Sequence, residues 1–443
     1  MSMSRRRGGR RLGAGVFIGL CAILFLIIVL IVCALAFHKI EHKVEKREMP
    51  MIELSLEDGV TLEMVNAPDK TNFVRNELVL HAWGDNKKWS NVEIKGRGNT
   101  SWLEPKKSYR IKFDKKTDFL GMNKIRKWAF LAYWSDESML RPDLGYYFAR
   151  LINPDFCLDG RYAELLINGE NMGLYYVSPK VAIDKKIVDL REPLGIIVEG
   201  DMAWQDDEFM SNHGVRFSVE DSVNYDLLSE AKNDFKTAFD ELEEAVYNGD
   251  FDALKKIADI ESFAEYFLLS EFIQNYDAYV SSFYFYKDGM NDVIHAGPAW
   301  DFDGAFDNRN WQVRNEERRE RPDLLFAIWA KEKTPGEVEL IAPYYNSLSL
   351  LMYKLFEMPE FQDVVIIMFS ERMSDKRNVA LRYIEDKTNY IRDAVRRNNE
   401  LWGLGDFEDE VNYIQWWVER RFDAFDEYFD LEISSKWNRE IEL

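Results

Sequence analysis

Asp277, Asp301 and Asp303 stand in one stretch, Asn275–Asn308, which reads NYDAYVSSFYFYKDGMNDVIHAGPAWDFDGAFDN. Asp277 falls just past a predicted helix. Asp301 and Asp303 fall just past a predicted hairpin, in which Phe283-Tyr284-Phe285-Tyr286 leads to a turn at Gly289 and Val293-Ile294 returns. A hairpin brings its ends together, so acids 24 residues apart can face one cleft. Phosphoryl transfer needs such a pair: one carboxylate takes or orients the proton of an attacking hydroxyl, and another holds the divalent cation that bridges nucleotide phosphates. Asp also caps helices and closes turns, so with 78 acids in the chain ordinary loop formation fits the same pattern.

A second candidate is Ile94-Lys95-Gly96-Arg97-Gly98-Asn99-Thr100-Ser101-Trp102, followed by Pro105-Lys106-Lys107 and a strand. Two glycines after a strand let backbone N–H groups approach a phosphate, with Lys107, Arg110 and Lys112 as countercharges. A strand-connecting turn with a solvated basic edge fits equally. Other chemistries lack their signatures. His38, His42, His81, His213 and His295 are scattered, with no HExxH pair,. There is no Gly-x-Ser-x-Gly and no GxxxxGK[ST].

The elements that must position these residues change character along the chain. Strand signals dominate early: Ile52–Leu56, Asn76–His81, Asn91–Lys95, Ser108–Phe113, Trp128–Tyr133 and Tyr162–Ile167, the last followed by the turn Asn168–Asn171,. Helical spacing appears at Ser138–Ile152 and then prevails: Tyr225–Tyr247, Ile260–Asn275, Leu348–Phe356, Phe361–Arg372, Val379–Arg397 and Glu410–Phe429,. Strands first and helices later predict an α+β fold on the plan of a two-lobed kinase, with a strand-rich lobe over 51–200 and a helix-rich lobe carrying the hairpin over 201–443.

The N-terminus predicts an anchor. A basic tail (1–15) with five arginines precedes 22 uncharged residues, Val16–Phe37, which would span roughly 33 Å as a helix. A charged stalk follows over 38–50. The arginines place the N-terminus in the cytoplasm and the remainder outside a cell membrane as a single-pass protein. Cys157 is the only cysteine beyond the apolar run, so the domain has no internal disulfide, which suggests a bacterial chain. A net charge of −21 argues against nucleic acid and favours basic partners.

At these residues the chain resembles the CotH kinase family, a group of atypical protein kinases. The resemblance runs from about Ile52 to the C-terminus. Its landmarks are IKGRGNTSW (Ile94–Trp102) with KKSYRIKF (Lys106–Phe113), KWAFLAYWSDESMLR (Lys127–Arg141), ELLINGENMGLYYV (Glu164–Val177), GIIVEGD (Gly195–Asp201) and AGPAWDFDGAFDN (Ala296–Asn308). It implies an extracytoplasmic kinase that moves the γ-phosphate of ATP, with Mg or Mn, to Ser or Thr of surface proteins, with Ser-rich or basic substrates expected. Carried over residue by residue, Asp277 is the catalytic carboxylate and Asp301 the metal ligand. Trp300 would stack on adenine, with Trp134 as the opposite face, and Arg97, Lys107 and Arg141 would contact phosphates. Ser282 stands where ordinary kinases place a metal-binding Asn, a departure for which Asp303 or Asn308 would compensate. Many relatives place an acid near Ser178. These departures leave a second reading, a catalytically inactive binding or assembly protein.

Overall fold

The first half of the chain closes on itself. In the computed structural model, which describes residues 49–155, 157–201, 209–275, 277–308 and 346–441, strands β1 (Met51–Ser55), β2 (Phe73–Ala82), β3 (Asp85–Arg97), β4 (Ser108–Asp118), β5 (Lys124–Leu131), β6 (Arg161–Ile167) and β7 (Glu170–Pro179) form a barrel in the order β1-β2-β3-β4-β5-β7-β6. Its neighbours are antiparallel except at the closure, where β1 runs parallel to β6 with Ile52 opposite Leu165 and Leu54 opposite Ile167. Asn168 and Gly169, both at positive φ, make the β6–β7 turn, as an Asn-Gly pair does at low steric cost.

Period-two alternation decides which side chains fill the barrel. Ile52, Leu54, Leu78, Leu80, Val92, Ile94, Tyr109, Ile111, Phe113, Trp128, Phe130, Ala163, Leu165, Tyr175 and Val177 form its interior. The opposite faces of β5, β6 and β7 are buried as well. Ala129, Leu131, Tyr162, Leu174 and Tyr176 join a second, larger core with the helices. That double burial explains the near-continuous apolar run Gly173–Val177, since each large apolar side chain removed from water stabilises by about 1.5–3 kcal/mol.

The second core holds a five-stranded antiparallel sheet, ordered β12-β11-β8-β10-β9: β8 (Gly195–Gly200), β9 (Phe209–Met210), β10 (Arg216–Ser222), β11 (Phe283–Asp288) and β12 (His295–Ala296). Helix α1 (Leu62–Val65) lies beside the barrel, and helices α2 (Arg141–Ile152), α3 (Leu228–Tyr247), α4 (Phe251–Leu254), α5 (Ile260–Ile273), α6 (Ser347–Phe356), α7 (Pro359–Arg372), α8 (Arg377–Trp402) and α9 (Phe407–Ile441) make up the helical part of the second core. Helix α8 grips the barrel from outside: the Asn398 amide oxygen accepts from Leu174 N–H at 3.1 Å, and Trp402 Nε1 donates to Met172 O at 3.1 Å. Gly173 leaves room for Asn398, whose oxygen would lie 2.5 Å from an added Cβ.

Two expectations are corrected. The two-lobed kinase-like architecture is not what forms: the strand-rich half is a closed barrel, and a separate sheet takes β8 from before residue 201 and β9–β12 from after it. Alternation located the strands, but it carries no information on which strand neighbours which. The expected N-terminal transmembrane helix is not among the elements described, where no helix is long and apolar enough to cross a membrane. The predicted tail, the 16–37 span and most of the stalk lie outside the described residues.

Candidate active site

Helix α5 delivers Asp277. Its N-terminus is capped by Asp259, whose carboxylate accepts from Ser262 N–H,. Its sides are apolar almost all round, with Phe263, Ala264, Phe267, Leu268 and Phe272 buried. The C-terminal carbonyls are held by Arg421, fully buried on α9, which donates to Phe272 O at 3.0 Å and to Glu271 O. A cation at a helix C-terminus complements both the free carbonyls and the dipole. Gln274 then adopts the left-handed conformation and ends the helix. Asp277 follows two residues after Asn275, its Oδ2 accepting the Ser281 hydroxyl at 2.7 Å.

The segment carrying Asp301 and Asp303 is stitched to this loop. Asn275 Nδ2 donates to Asp301 O at 3.0 Å, and Phe306 N–H donates to Ile273 O at 2.8 Å. The Ser282 hydroxyl donates to Asp301 Oδ2 at 3.5 Å, and Asn308 Nδ2 donates to Asp303 O at 2.8 Å. Ser282, Asp301, Phe306 and Asp307 all hold φ between +47° and +61°. Left-handed backbone at non-glycine residues is strained and gathers at functional sites.

The three acids are electrostatically uncomfortable. Asp277 and Asp301 keep partial solvent access, and Asp303 is buried. Burial pushes the Asp277 carboxyl up to about 7, opposed by the Ser281 hydroxyl and reinforced by Asp301. Burial also raises Asp301, against the pull of the Arg97 guanidinium. Asp303 is driven well above the usual range by burial and by repulsion from Asp301, Asp277 and Asp136. Asp303 Oδ1 is buried with no hydrogen-bond partner. A crowded set of hard oxygen donors with an orphaned oxygen fits a hard divalent cation. Among the described residues no group of three or more His, Cys, Asp or Glu side chains is arranged to enclose a metal by itself. Magnesium is commonly held by one or two carboxylates together with substrate phosphates and water.

The glycine-containing segment lies at the end of β3. Gly96 is there because Trp102 packs on it: an added Cβ would stand 2.2 Å from the indole. Arg97 reaches the acids' side, its guanidinium 5.5 Å from the Trp300 ring centre. Lys107 turns back instead, donating to Trp102 O at 2.6 Å, while Lys70 donates to Gly98 O at 2.5 Å.

The remaining predicted residues are placed as follows. Trp300 is 2% exposed, covered by Arg97 and edge-on to Tyr146 at 6.4 Å. Trp134 packs edge-on against Trp402 at 6.0 Å. Arg141 is wholly buried and paired with Asp136 at 2.7 Å and Glu410 at 2.8 Å. So Asp277, Ser282, Trp300, Asp301, Asp303 and Arg97 are linked through these contacts, and Lys107, Trp134 and Arg141 have partners of their own. Sequence reasoning passed over Glu199, which accepts Ser282 N–H at 3.0 Å; its signal was a lone acid ending the apolar run Ile196–Val198. It also passed over Lys106, fully buried, which donates to Ala132 O at 2.9 Å and to Leu174 O. Burial alone holds the Lys106 amine well below its ordinary value. Both lysines precede β4 in the chain, and no sequence signal separates Lys106 from Lys107.

Residues 94–424 match the family described as CotH kinase protein, most of the chain, and the chain belongs to the CotH family. It is also similar to the inner spore coat protein H of Bacillus subtilis (strain 168), 21% identical over 368 residues that cover 72% of this chain and 94% of that protein. That relative is named for a spore coat. The expected single-pass cell-membrane location is not borne out among the described residues, where no helix is long and apolar enough to cross a membrane.

Proposed function

We propose that this chain transfers the γ-phosphate of ATP to a Ser or Thr hydroxyl of a protein. The observation that carries the reading is the stitched trio Asp277, Asp301 and Asp303, mutually repelling, with one oxygen orphaned and Arg97 alongside. Family membership supports it, since the family's description names a kinase. The coat-protein name of the Bacillus relative makes structural coat-type proteins reasonable substrates, and a −21 chain favours basic ones,.

In this reading Asp277 accepts the proton of the attacking hydroxyl as its oxygen bonds to the γ-phosphorus and the bond to the β-phosphate oxygen breaks, releasing ADP. With a carboxyl pushed up to about 7, Asp277 is a competent base near neutral pH. Asp301 and Asp303 would hold Mg or Mn, with Ser282 beside Asp301. A cation bound there would neutralise charge on the phosphates. Arg97 offers a guanidinium for phosphate oxygens, and Trp300 an aromatic face for the base once Arg97 moves aside. Lys107 would join only by leaving Trp102 O.

The test is labelling of the full-length chain, and of a Ser-rich basic protein, with γ-labelled ATP and Mg or Mn. Labelling should fall by orders of magnitude in Asp277→Asn and Asp301→Asn, and ATP with the cation should raise the melting temperature of the wild type. The near-closure of the site, with Trp300 at 2% exposure, favours a second reading, a binding or assembly protein without turnover. Absence of labelling despite a stable fold would leave only that one.

A further inference from the structure

We propose that Glu199 is a positioning residue for this site: it holds the backbone of Ser282 in its left-handed turn and thereby aims the Asp301 carboxylate. The inference deepens the phosphoryl-transfer reading and rests on it.

Glu199 lies on β8, the middle strand of the second sheet, directly opposite Tyr284 of β11. It ends an apolar run, and among the described residues no Lys or Arg side chain forms an ion pair with it. Burial raises its carboxyl to about 7, with Glu220 and Asp201 adding to the rise, so its presence is a liability to the sheet. What its oxygens do is specific. Oε1 accepts Ser282 N–H at 3.0 Å, and Oε2 accepts the Tyr284 hydroxyl at 3.4 Å.

Ser282 is where the chain leaves the Asp277 turn and enters β11. Its φ is +58°, a conformation that a serine keeps only when its surroundings over-determine it. Both of its backbone groups are held: N–H by Glu199, and C=O by the Tyr266 hydroxyl of α5 at 3.4 Å. That conformation directs the Ser282 hydroxyl to Asp301 Oδ2. Without the acceptor at Glu199, Ser282 would relax toward ordinary extended backbone and its hydroxyl would turn away. Asp301 would lose one of the contacts that fix it.

The experiment uses the full-length chain with Glu199→Ala and Glu199→Gln. The glutamine keeps an oxygen for Ser282 N–H, and the Tyr284 hydroxyl can rotate to accept from its amide. Two readouts are independent of turnover: hydrogen exchange at the Ser282 amide, and Mn2+ affinity in the presence of ATP from a titration of free Mn2+. Glu199→Ala should deprotect the Ser282 amide and weaken Mn2+ binding by about 10–100-fold, the usual effect of losing a group that orients a ligand. Glu199→Gln should stay close to wild type in both. Wild-type protection or wild-type Mn2+ affinity in Glu199→Ala overturns the proposal, as does equal damage in the two variants. A wild type that binds no Mn2+ with ATP sinks the kinase reading instead, and the exchange measurement then decides alone whether Glu199 sets the turn.

Discussion

Phe302 packs on the backbone of Gly145, so closely that a Cβ there would lie 2.2 Å from the ring's Cγ. The ring is also edge-on to Tyr146 at 4.9 Å. Since Phe302 separates Asp301 from Asp303, α2 is the wall against which both acids are set. Alanine favours helices over glycine by about 1 kcal/mol, yet here overpacking costs about 1–3 kcal/mol. Gly145→Ala should therefore leave stability changed little, or modestly lowered, while labelling drops at least about tenfold through displacement of the acids. Parallel melting curves and labelling rates check this, and an unimpaired rate contradicts it.

Arg141 answers to two buried acids, Asp136 and Glu410. Removing it strands both, and breaking such a pair costs about 3–5 kcal/mol. Arg141→Met should lower stability by that amount in a denaturant titration. The folded fraction should keep its affinity for nucleotide, which a phosphate-contacting arginine would not allow.

The acidic trio should weaken the free protein as pH rises. Its members have folded-state values raised above the unfolded ones, so the penalty is absent below about pH 4, the unfolded range. It builds as pH climbs toward the raised values and is complete above them, about 7 in the case of Asp277,. Asp303→Asn relieves the repulsion. It should raise the melting temperature by about 3 °C at pH 8 and by nothing at pH 4, while abolishing labelling. Adding Mn2+ with ATP should narrow the gap at pH 8 by stabilising the wild type alone.

His295 bridges Asp259, the cap of α5, at 2.9 Å, and Asp292 at 3.4 Å. Burial opposes its charge, but the Asp259 hydrogen bond and both carboxylates outweigh it and raise the imidazole. Asp259 is correspondingly lowered, first by the His295 hydrogen bond. The histidine's contribution is thus full below its unfolded value of about 6.5 and is lost as pH rises through the folded one. The aspartate's is present above its unfolded value and is lost as pH falls through its lowered folded one. His295→Gln should cost under about 1 kcal/mol at pH 5.5, and the difference from wild type should vanish by pH 8.5. A constant difference across that range would refute the pairing.

Legibility in the sequence followed the range of the forces involved. Helices such as Ile260–Ile273 announced themselves within about two residues because their periodicity is local, whereas β4, expected at Ser108–Phe113, runs on to Asp118, and β5 was expected two to four residues too late. Closure of the barrel was not legible, because the pairing of Ile52 with Leu165 is settled by tertiary packing. Asp277, Asp301 and Asp303 could be picked out from the hairpin between them. The setting of Glu199 could not, since its value depends on β11, whose Tyr284 is 85 residues further along the chain, lying beside β8. Arg141 shows the converse: its type suggested a phosphate ligand, and only three-dimensional proximity reveals two acids already claiming it.

The parallel seam between β1 and β6 gives the five residues Met51–Ser55 a leverage beyond their length. A seamless cylinder has no unpaired rim along its sides, which shields it from edge-to-edge association. Proteolysis that removed this one ribbon would unzip the cylinder on two flanks at once, leaving β2 and β6 each with a bare ladder and inviting self-adhesion.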